Sequence, residues 1–281
     1  MLATAGASGG FGMADATGAF FVCAALTTLV GVTGWFERLM DRIPLALEAK
    51  LLGKIRFGIE VKEIRQSADG VRVVYTDARG GNGAVQADYG IVTVPLSVLK
   101  GIPSDFSPAM LEAIASVPYA QTGKVGLQFK RRFWEEDDRI YGGISMALNQ
   151  IFYPSSDYLG QKGVLVGYYN FGTAAADLGK LAPAERVKKA LELGRKIHPQ
   201  YDAEFETGYS IAWHQVPHSL GGWANYTSDL RAKMYPTLNK PDGRLYLAGE
   251  HLSYLTGWMA GAFGSARDAV TDLHKRVQQA G

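Results

Sequence analysis

Leu245 to Ala248 is a short apolar run closed by a small residue, and Gly249-Glu250-His251 follows at once. A run of that length bounded by glycine reads as a buried strand whose end passes close to a neighbour. After a brief turn, the small-residue-rich stretch from about Trp258 to Val277 reads as a helix. Its first turn leaves unpaired N–H groups and a positive dipole end facing a ligand. Strand, glycine, one carboxylate and helix start together predict a cofactor cradle. No other segment constrains the fold as tightly.

The rest of the composition sets outer limits. With 281 residues, 47% apolar and 20% charged, the chain suits one large or two modest globular domains. A net charge of +2 carries no nucleic-acid footprint and implies no acidic partner. Cys23 is the single cysteine, which excludes an internal disulfide and an all-cysteine metal site. His214 and His218 lie four apart, but Pro217 between them opposes a helix that presents both to a metal, so no metal site is assigned. Gly18 to Phe36 is uncharged and long enough to be a candidate membrane span. Its threonines and glycines weaken that reading, and no Lys or Arg precedes it as in a signal peptide. We read it as a buried, weakly patterned segment and expect a soluble, cytoplasmic chain.

Along the chain, Met40 to Leu52 reads as a helix. Ile55 to Ile64 and Val71 to Tyr75 read as strands joined by the turn Ser67-Ala68-Asp69-Gly70. Ala78 to Gly83 reads as a loop, and Tyr89 to Val94, stopped by Pro95, as a fully buried strand. Ser107-Pro108 starts a helix running to Ser116. Val125 to Phe129 and Val164 to Phe171 are further strands, and Pro183 to Ile197 is an amphipathic helix. Lys130-Arg131-Arg132 with Glu135-Glu136-Asp137-Asp138 reads as a solvated charged face. The expected organisation is mixed α/β and α+β. Cofactor-binding pieces at 39–100 and 212–281 flank an inserted α+β substrate-binding block at 101–211, and residues 1–38 carry little signal.

Gly243-Arg244-Leu245-Tyr246-Leu247-Ala248-Gly249-Glu250-His251, with Gly257-Trp258-Met259-Ala260-Gly261-Ala262, resembles the C-terminal flavin-binding signature of the flavin-dependent amine oxidases. That family comprises monoamine, polyamine and L-amino-acid oxidases. The resemblance continues through Met40-Asp41-Arg42-Ile43-Pro44, Ile55-Arg56-Phe57-Gly58, Glu60-Val61, Thr93-Val94-Pro95-Leu96 and Gly123-Lys124-Val125, covering about residues 39 to 281. Phe129-Lys130-Arg131-Arg132-Phe133-Trp134 and Ala248 to Tyr254 are most similar to the bacterial L-amino-acid oxidase-like members.

The resemblance implies a glutathione-reductase-like FAD-binding domain, incomplete here, with an inserted α+β substrate domain. It assigns cofactor contacts to Val61, Val94, Pro95, Gly249, Glu250, Gly257, Met259 and Ala262. Val61 would meet the adenine, Glu250 the ribityl chain, and the Met259 helix start the pyrimidine edge of the flavin. The lysine matching Lys124 holds a water against flavin N5 and assists reoxidation by oxygen. Trp258 matches an aromatic beside the substrate, with Trp223 and Ala224 at the second side of the substrate cage. Trp223 falls where some relatives carry the cysteine that bonds the flavin, so noncovalent FAD is implied.

The implied activity is oxidative deamination of a primary amine, an L-amino acid by the nearer match. Its products are an imine or keto acid, ammonia and hydrogen peroxide, with O2 as oxidant. The family's diphosphate-binding Gly-x-Gly-x-x-Gly has no match: Gly10-Phe11-Gly12 comes nearest, and Asp15 stands where the third glycine belongs. Activity is therefore expected to need the missing N-terminal half, as a separate polypeptide or through a homo-oligomer. A noncatalytic remnant and an accessory binding subunit are the alternatives.

Overall fold

The computed structural model describes residues 46–147, 150–155 and 157–280. Expectations for 1–38, Gly10 to Asp15, Gly18 to Phe36, Cys23 and Met40 to Pro44 lie outside the described residues. Of the helix expected over Met40 to Leu52, residues 46–50 are helical.

Ten strands follow: β1 (Ile59–Gln66), β2 (Val71–Asp77), β3 (Asn82–Ala87), β4 (Gly90–Val92), β5 (Thr122–Phe129), β6 (Gly143–Ser145), β7 (Ile151–Tyr153), β8 (Gly163–Phe171), β9 (Phe205–Ala212) and β10 (Leu245–Leu247). The helices are α1 (Leu96–Leu99), α2 (Pro108–Ser116), α3 (Phe133–Glu136), α4 (Gly172–Gly179), α5 (Pro183–Gly194), α6 (Tyr201–Glu204), α7 (Ser228–Leu238) and α8 (Met259–Ala280). They build an antiparallel meander β1-β2-β3, a parallel pair β10-β4, and a five-stranded antiparallel sheet ordered β6-β7-β8-β5-β9.

Local chemistry explains several boundaries. Ser107 caps α2 by accepting from the Met110 N–H at 3.3 Å, and Pro108 occupies the first turn, where a missing N–H costs nothing. Asp77 closes the turn after β2: its Oδ1 accepts from the Arg79 and Gly81 N–H groups, each at 2.8 Å. That tight turn accounts for residues 78–81 of the loop expected over Ala78 to Gly83, and only its last two residues belong to β3, which begins at Asn82. β3 is largely exposed and poor in β-branched residues, so its sequence carries little strand signal. The strand expected over Tyr89 to Val94 is also shorter and less buried than its apolar run suggests. Only Gly90–Val92 pairs, Val92 alone is buried, and Thr93 is exposed.

Two apolar cores organise these layers. The first joins Leu96, Ile114, Leu238, Leu245 and Leu247 around the β10-β4 pair, α2 and α7. The second gathers Val125, Leu127, Phe129, Phe133, Trp134 and Tyr201 beneath the five-stranded sheet. Residues 101–117, assigned on sequence to the inserted block, send Phe106, Met110, Ile114 and Val117 into the first core.

The charged stretch 130–138 is a solvated face only in part: Lys130, Glu136, Asp137 and Asp138 are exposed, whereas Arg132 and Glu135 are buried. Phe133 and Trp134 are fully buried and draw their neighbours inward, leaving Arg132 2% and Glu135 1% exposed. These two form a buried ion pair, and Glu135 Oε2 also accepts from the Leu159 N–H at 3.0 Å. Arg131 follows the expected pattern more closely, pairing at the surface with Glu136, Asp137 and Glu204.

Candidate active site

The site begins where β10 ends. Ala248 N–H donates to Val92 O at 3.0 Å, continuing the parallel pair one residue further. Gly249 adopts φ 152°, and a Cβ there would fall 2.3 Å from His251 Cε1. Glycine thus lets the His251 ring fold back against the strand end. The Gly249 N–H donates to Ser265 Oγ at 3.2 Å, tying the strand end to α8. Burial drives the His251 imidazole down to about 4, so it is neutral at pH 7.

Glu250 braces the turn that follows. Its Oε1 accepts from the Ala224 N–H at 3.1 Å, and its Oε2 from the Gly257 N–H at 2.8 Å. Burial pushes this carboxyl above the usual range, while the two N–H donors and Arg231 pull the other way. Each oxygen keeps a further lone pair for a hydroxyl donor. Gly257, at φ 79°, crosses the indole of Trp223 so closely that a Cβ would lie 3.4 Å from the ring. At the start of α8, Gly261 leaves room for Ser253 Oγ and Leu255 O, which a Cβ would approach to 2.2 and 2.3 Å.

Opposite the turn, β5 and β8 present aromatic faces and one cation. Lys124 is the third residue of β5, not its head as expected, and pairs with Tyr169 of β8 and Ile211 of β9. The Lys124 Nζ stands 4.4 Å from the centroid of the Tyr169 ring, a cation–π contact. Tyr169 packs on Phe171 at 4.6 Å, and Phe171 on Trp223 at 5.6 Å. Two members of this run, Tyr169 and Trp223, line with Pro95, Tyr119, Trp213 and Gly257 an open cavity of ≈ 340 Å³. The Tyr119 hydroxyl accepts from the Leu96 N–H at 2.9 Å, and burial raises its phenol well above the ordinary value, so it stays protonated.

A second cavity of ≈ 540 Å³ is lined by Val61, Val94, Pro95, Val98 and His218. Pro95 is a wall of both cavities, so the two adjoin. Of the residues predicted from sequence, Val61, Val94 and Pro95 share one cavity, while Pro95, Lys124, Trp223, Glu250 and Gly257 share the other. Ala224 is fully buried and reaches the site only through its backbone N–H. Trp258 is 66% exposed and lines neither cavity. Gly249 and Met259 flank the site as the end of β10 and the start of α8, with Ala262 in the first turn. Tyr119, Tyr169 and Trp213 were not singled out on sequence. Tyr169 and Phe171, two apart on one strand face, had a visible period-two signal; Tyr119 and Trp213 arrive only through tertiary packing.

The donor set fits FAD. Aromatic faces suit a flat ring system, and Lys124 with the start of a 22-residue helix suits its electron-rich edge. The free lone pairs of Glu250 suit a hydroxylated chain. Among the described residues no group of three His, Cys, Asp or Glu is placed to hold a metal, and no helix is long and apolar enough to cross a membrane.

A family profile described as flavin containing amine oxidoreductase matches residues 13–274. The putative L-amino-acid oxidase YobN of Bacillus subtilis (strain 168) is 30% identical over 237 residues, 80% of this chain and 49% of its own length. The flavin-dependent L-tryptophan oxidase RebO of Lentzea aerocolonigenes is 33% identical over 241 residues, 82% of this chain and 50% of its own. A putrescine oxidase redesigned in its cofactor binding superposes with TM-score 0.73 at 18% identity, covering 84% of this chain and 53% of that one. The cyclohexylamine oxidase from Brevibacterium oxydans IH-35A gives 0.65 at 18% identity, covering 78% and 48%. At that identity the solved structures establish the fold. The chain spans about half the length of the curated relatives it matches.

Proposed function

Because this chain belongs to the flavin containing amine oxidoreductase family, we propose that its two adjoining cavities hold noncovalent FAD and that the whole protein oxidatively deaminates an L-amino acid. The products are a keto acid by way of the imine, ammonia and hydrogen peroxide. The observation that carries this reading is the convergence of Lys124, Trp223, Glu250 and Gly257 on one cavity. The names of two relatives, an L-amino-acid oxidase and an L-tryptophan oxidase, support an amino-acid substrate over a simple amine.

Bound FAD supplies the redox chemistry, accepting hydride from the α-carbon of the amine and returning the electrons to oxygen as hydrogen peroxide. The chain's own residues bind and orient. Trp223 and the Met259 helix start would hold the ring end, Glu250 the ribityl hydroxyls, and Val61, Val94 and Pro95 the adenosine end. Tyr169 and Trp223 form an aromatic wall that favours the neutral amine, the form able to give up hydride. The Lys124 ammonium reinforces that choice, since a like charge beside it disfavours a protonated amine. Lys124 also has N–H donors free to hold a water at the reacting edge. The diphosphate needs further donors, which we assign to an N-terminal polypeptide or a second copy.

The test is peroxide release from a panel of L-amino acids and primary amines by the whole protein with added FAD. The reading expects release from one or more L-amino acids, abolished by replacing Trp223 with Ala. A protein that binds FAD yet releases no peroxide from any of them would overturn the catalytic part.

A further inference from the structure

We propose that Arg231, clasped by three tyrosines, is the positioning residue that sets the shape of the 250–258 turn. Arg231 lies on α7, outside both cavities. Its guanidinium stands 4.4 Å from the Tyr226 ring centroid, 5.1 Å from Tyr235 and 5.0 Å from Tyr254. Planar guanidinium stacking on several rings fixes the side chain while leaving its N–H edges free to donate.

One of those edges is used. Arg231 NH1 donates to Ser253 O at 2.8 Å, in the middle of the turn. The Tyr226 hydroxyl donates to His251 O at 2.9 Å, two residues earlier. The clasp therefore grips the turn at two backbone carbonyls, one from α7 and one from Tyr226 just before it, and α8 closes on its other side through Gly261. Leu252 anchors the start of the turn in the first core, but Tyr254, Leu255 and Trp258 are all more than half exposed, so little apolar burial holds residues 254–258. Glu250 and Gly257, joined at 2.8 Å, are the two ends whose separation the clasp fixes. Arg231 also lies near enough to draw the Glu250 carboxyl downward.

The consequence for FAD rests on the function proposed above; the grip on the turn does not. Two measurements separate them. The first is hydrogen–deuterium exchange on the chain without flavin, comparing Arg231→Met, Arg231→Lys and Tyr254→Ala. Arg231→Met should speed exchange across 253–258 about tenfold or more, the loss of one charge-assisted hydrogen bond. Arg231→Lys should restore only part of the protection, because an ammonium can still donate to Ser253 O and face a ring but loses the planar stacking. Tyr254→Ala removes an exposed ring and should loosen the turn without unfolding the chain, with β5 exchange as the folding control. Unchanged exchange in Arg231→Met with intact β5 overturns the proposal, as does failure of both Lys to rescue and Tyr254→Ala to loosen. The second measurement is FAD affinity, which should fall about tenfold in Arg231→Met and recover in part in Arg231→Lys. If the whole protein with an unaltered Arg231 binds no FAD, the functional reading fails while the exchange result still decides the role of Arg231.

Discussion

His251 makes acid stability a quantitative test of how β10 joins the site. The imidazole is 2% exposed and packed against Gly249, and burial alone takes it from an ordinary 6.5 down to about 4. Below pH 6.5 the unfolded chain takes up a proton that the folded one refuses. The stability tied to this ring is thus complete above pH 6.5 and is lost as pH falls toward 4. Refusing that proton corresponds to about 3 kcal/mol at full extent. Glu250 acts in the opposite sense: its carboxyl, raised by burial, gains a proton earlier in the folded chain and returns some stability as pH falls through the upper carboxylate range. The lowered carboxyls of Asp105, Asp137 and Glu206 lose their contribution only from the ordinary carboxylate range downward. Between pH 6.5 and 4.5 His251 is therefore the main source of lost stability, with Glu250 opposing it toward the lower end. Urea unfolding at intervals between pH 7 and pH 4.5 should show the parent losing about 2 kcal/mol, with most of the slope gone in His251→Leu. A direct NMR titration should find one of the five histidines with a midpoint near 4. Parallel pH profiles for parent and His251→Leu, or no histidine titrating below 5, would refute the assignment.

Two further substitutions test the packing on either side of the site. Glu135→Ala strips the buried Arg132 of its carboxylate and leaves the Leu159 N–H without its acceptor, while Arg132 keeps Pro154 O and the Trp134 face. Urea midpoints should show a loss of about 3 kcal/mol, and a loss below about 1 kcal/mol would mean the pair is not buried as described. Gly261→Ala gains helix propensity of about 1 kcal/mol but drives a Cβ onto Leu255 O, so thermal unfolding should show net destabilisation. A variant as stable as the parent would show that α8 does not pack on the turn.

Some of this was legible in the sequence because the signals are local. Leu245 to Leu247 is an apolar run short enough for one buried strand, and Ser107-Pro108 is a cap and first-turn pair acting within four residues. Gly249, Glu250 and Gly257 could be named as a group because strand end, acid and turn are adjacent in the chain. How Glu250 works was not legible, since the Ala224 N–H it accepts comes from 26 residues away. The burial of Arg132 and Glu135 was likewise hidden: charge density says solvent, and only the placement of Phe133 and Trp134 overrides it. Tyr119 and Trp213 meet Lys124 only after β5, β8 and β9 pair, so no spacing in the chain announces them. Arg231 is invisible for the same reason, its three tyrosines being ordinary residues until α7 and the turn come together.

The central claim is that the Lys124, Trp223, Glu250 and Gly257 cavity seats the ring end of FAD. Titration of the whole protein with FAD, followed by flavin fluorescence and by its visible absorbance, tests this most directly. Binding should be saturable at one site per chain and weakened about tenfold or more in Glu250→Ala, in which the Gly257 and Ala224 N–H groups lose their shared acceptor. Flavin fluorescence and absorbance that do not change on mixing, or an affinity indifferent to Glu250→Ala, would contradict it.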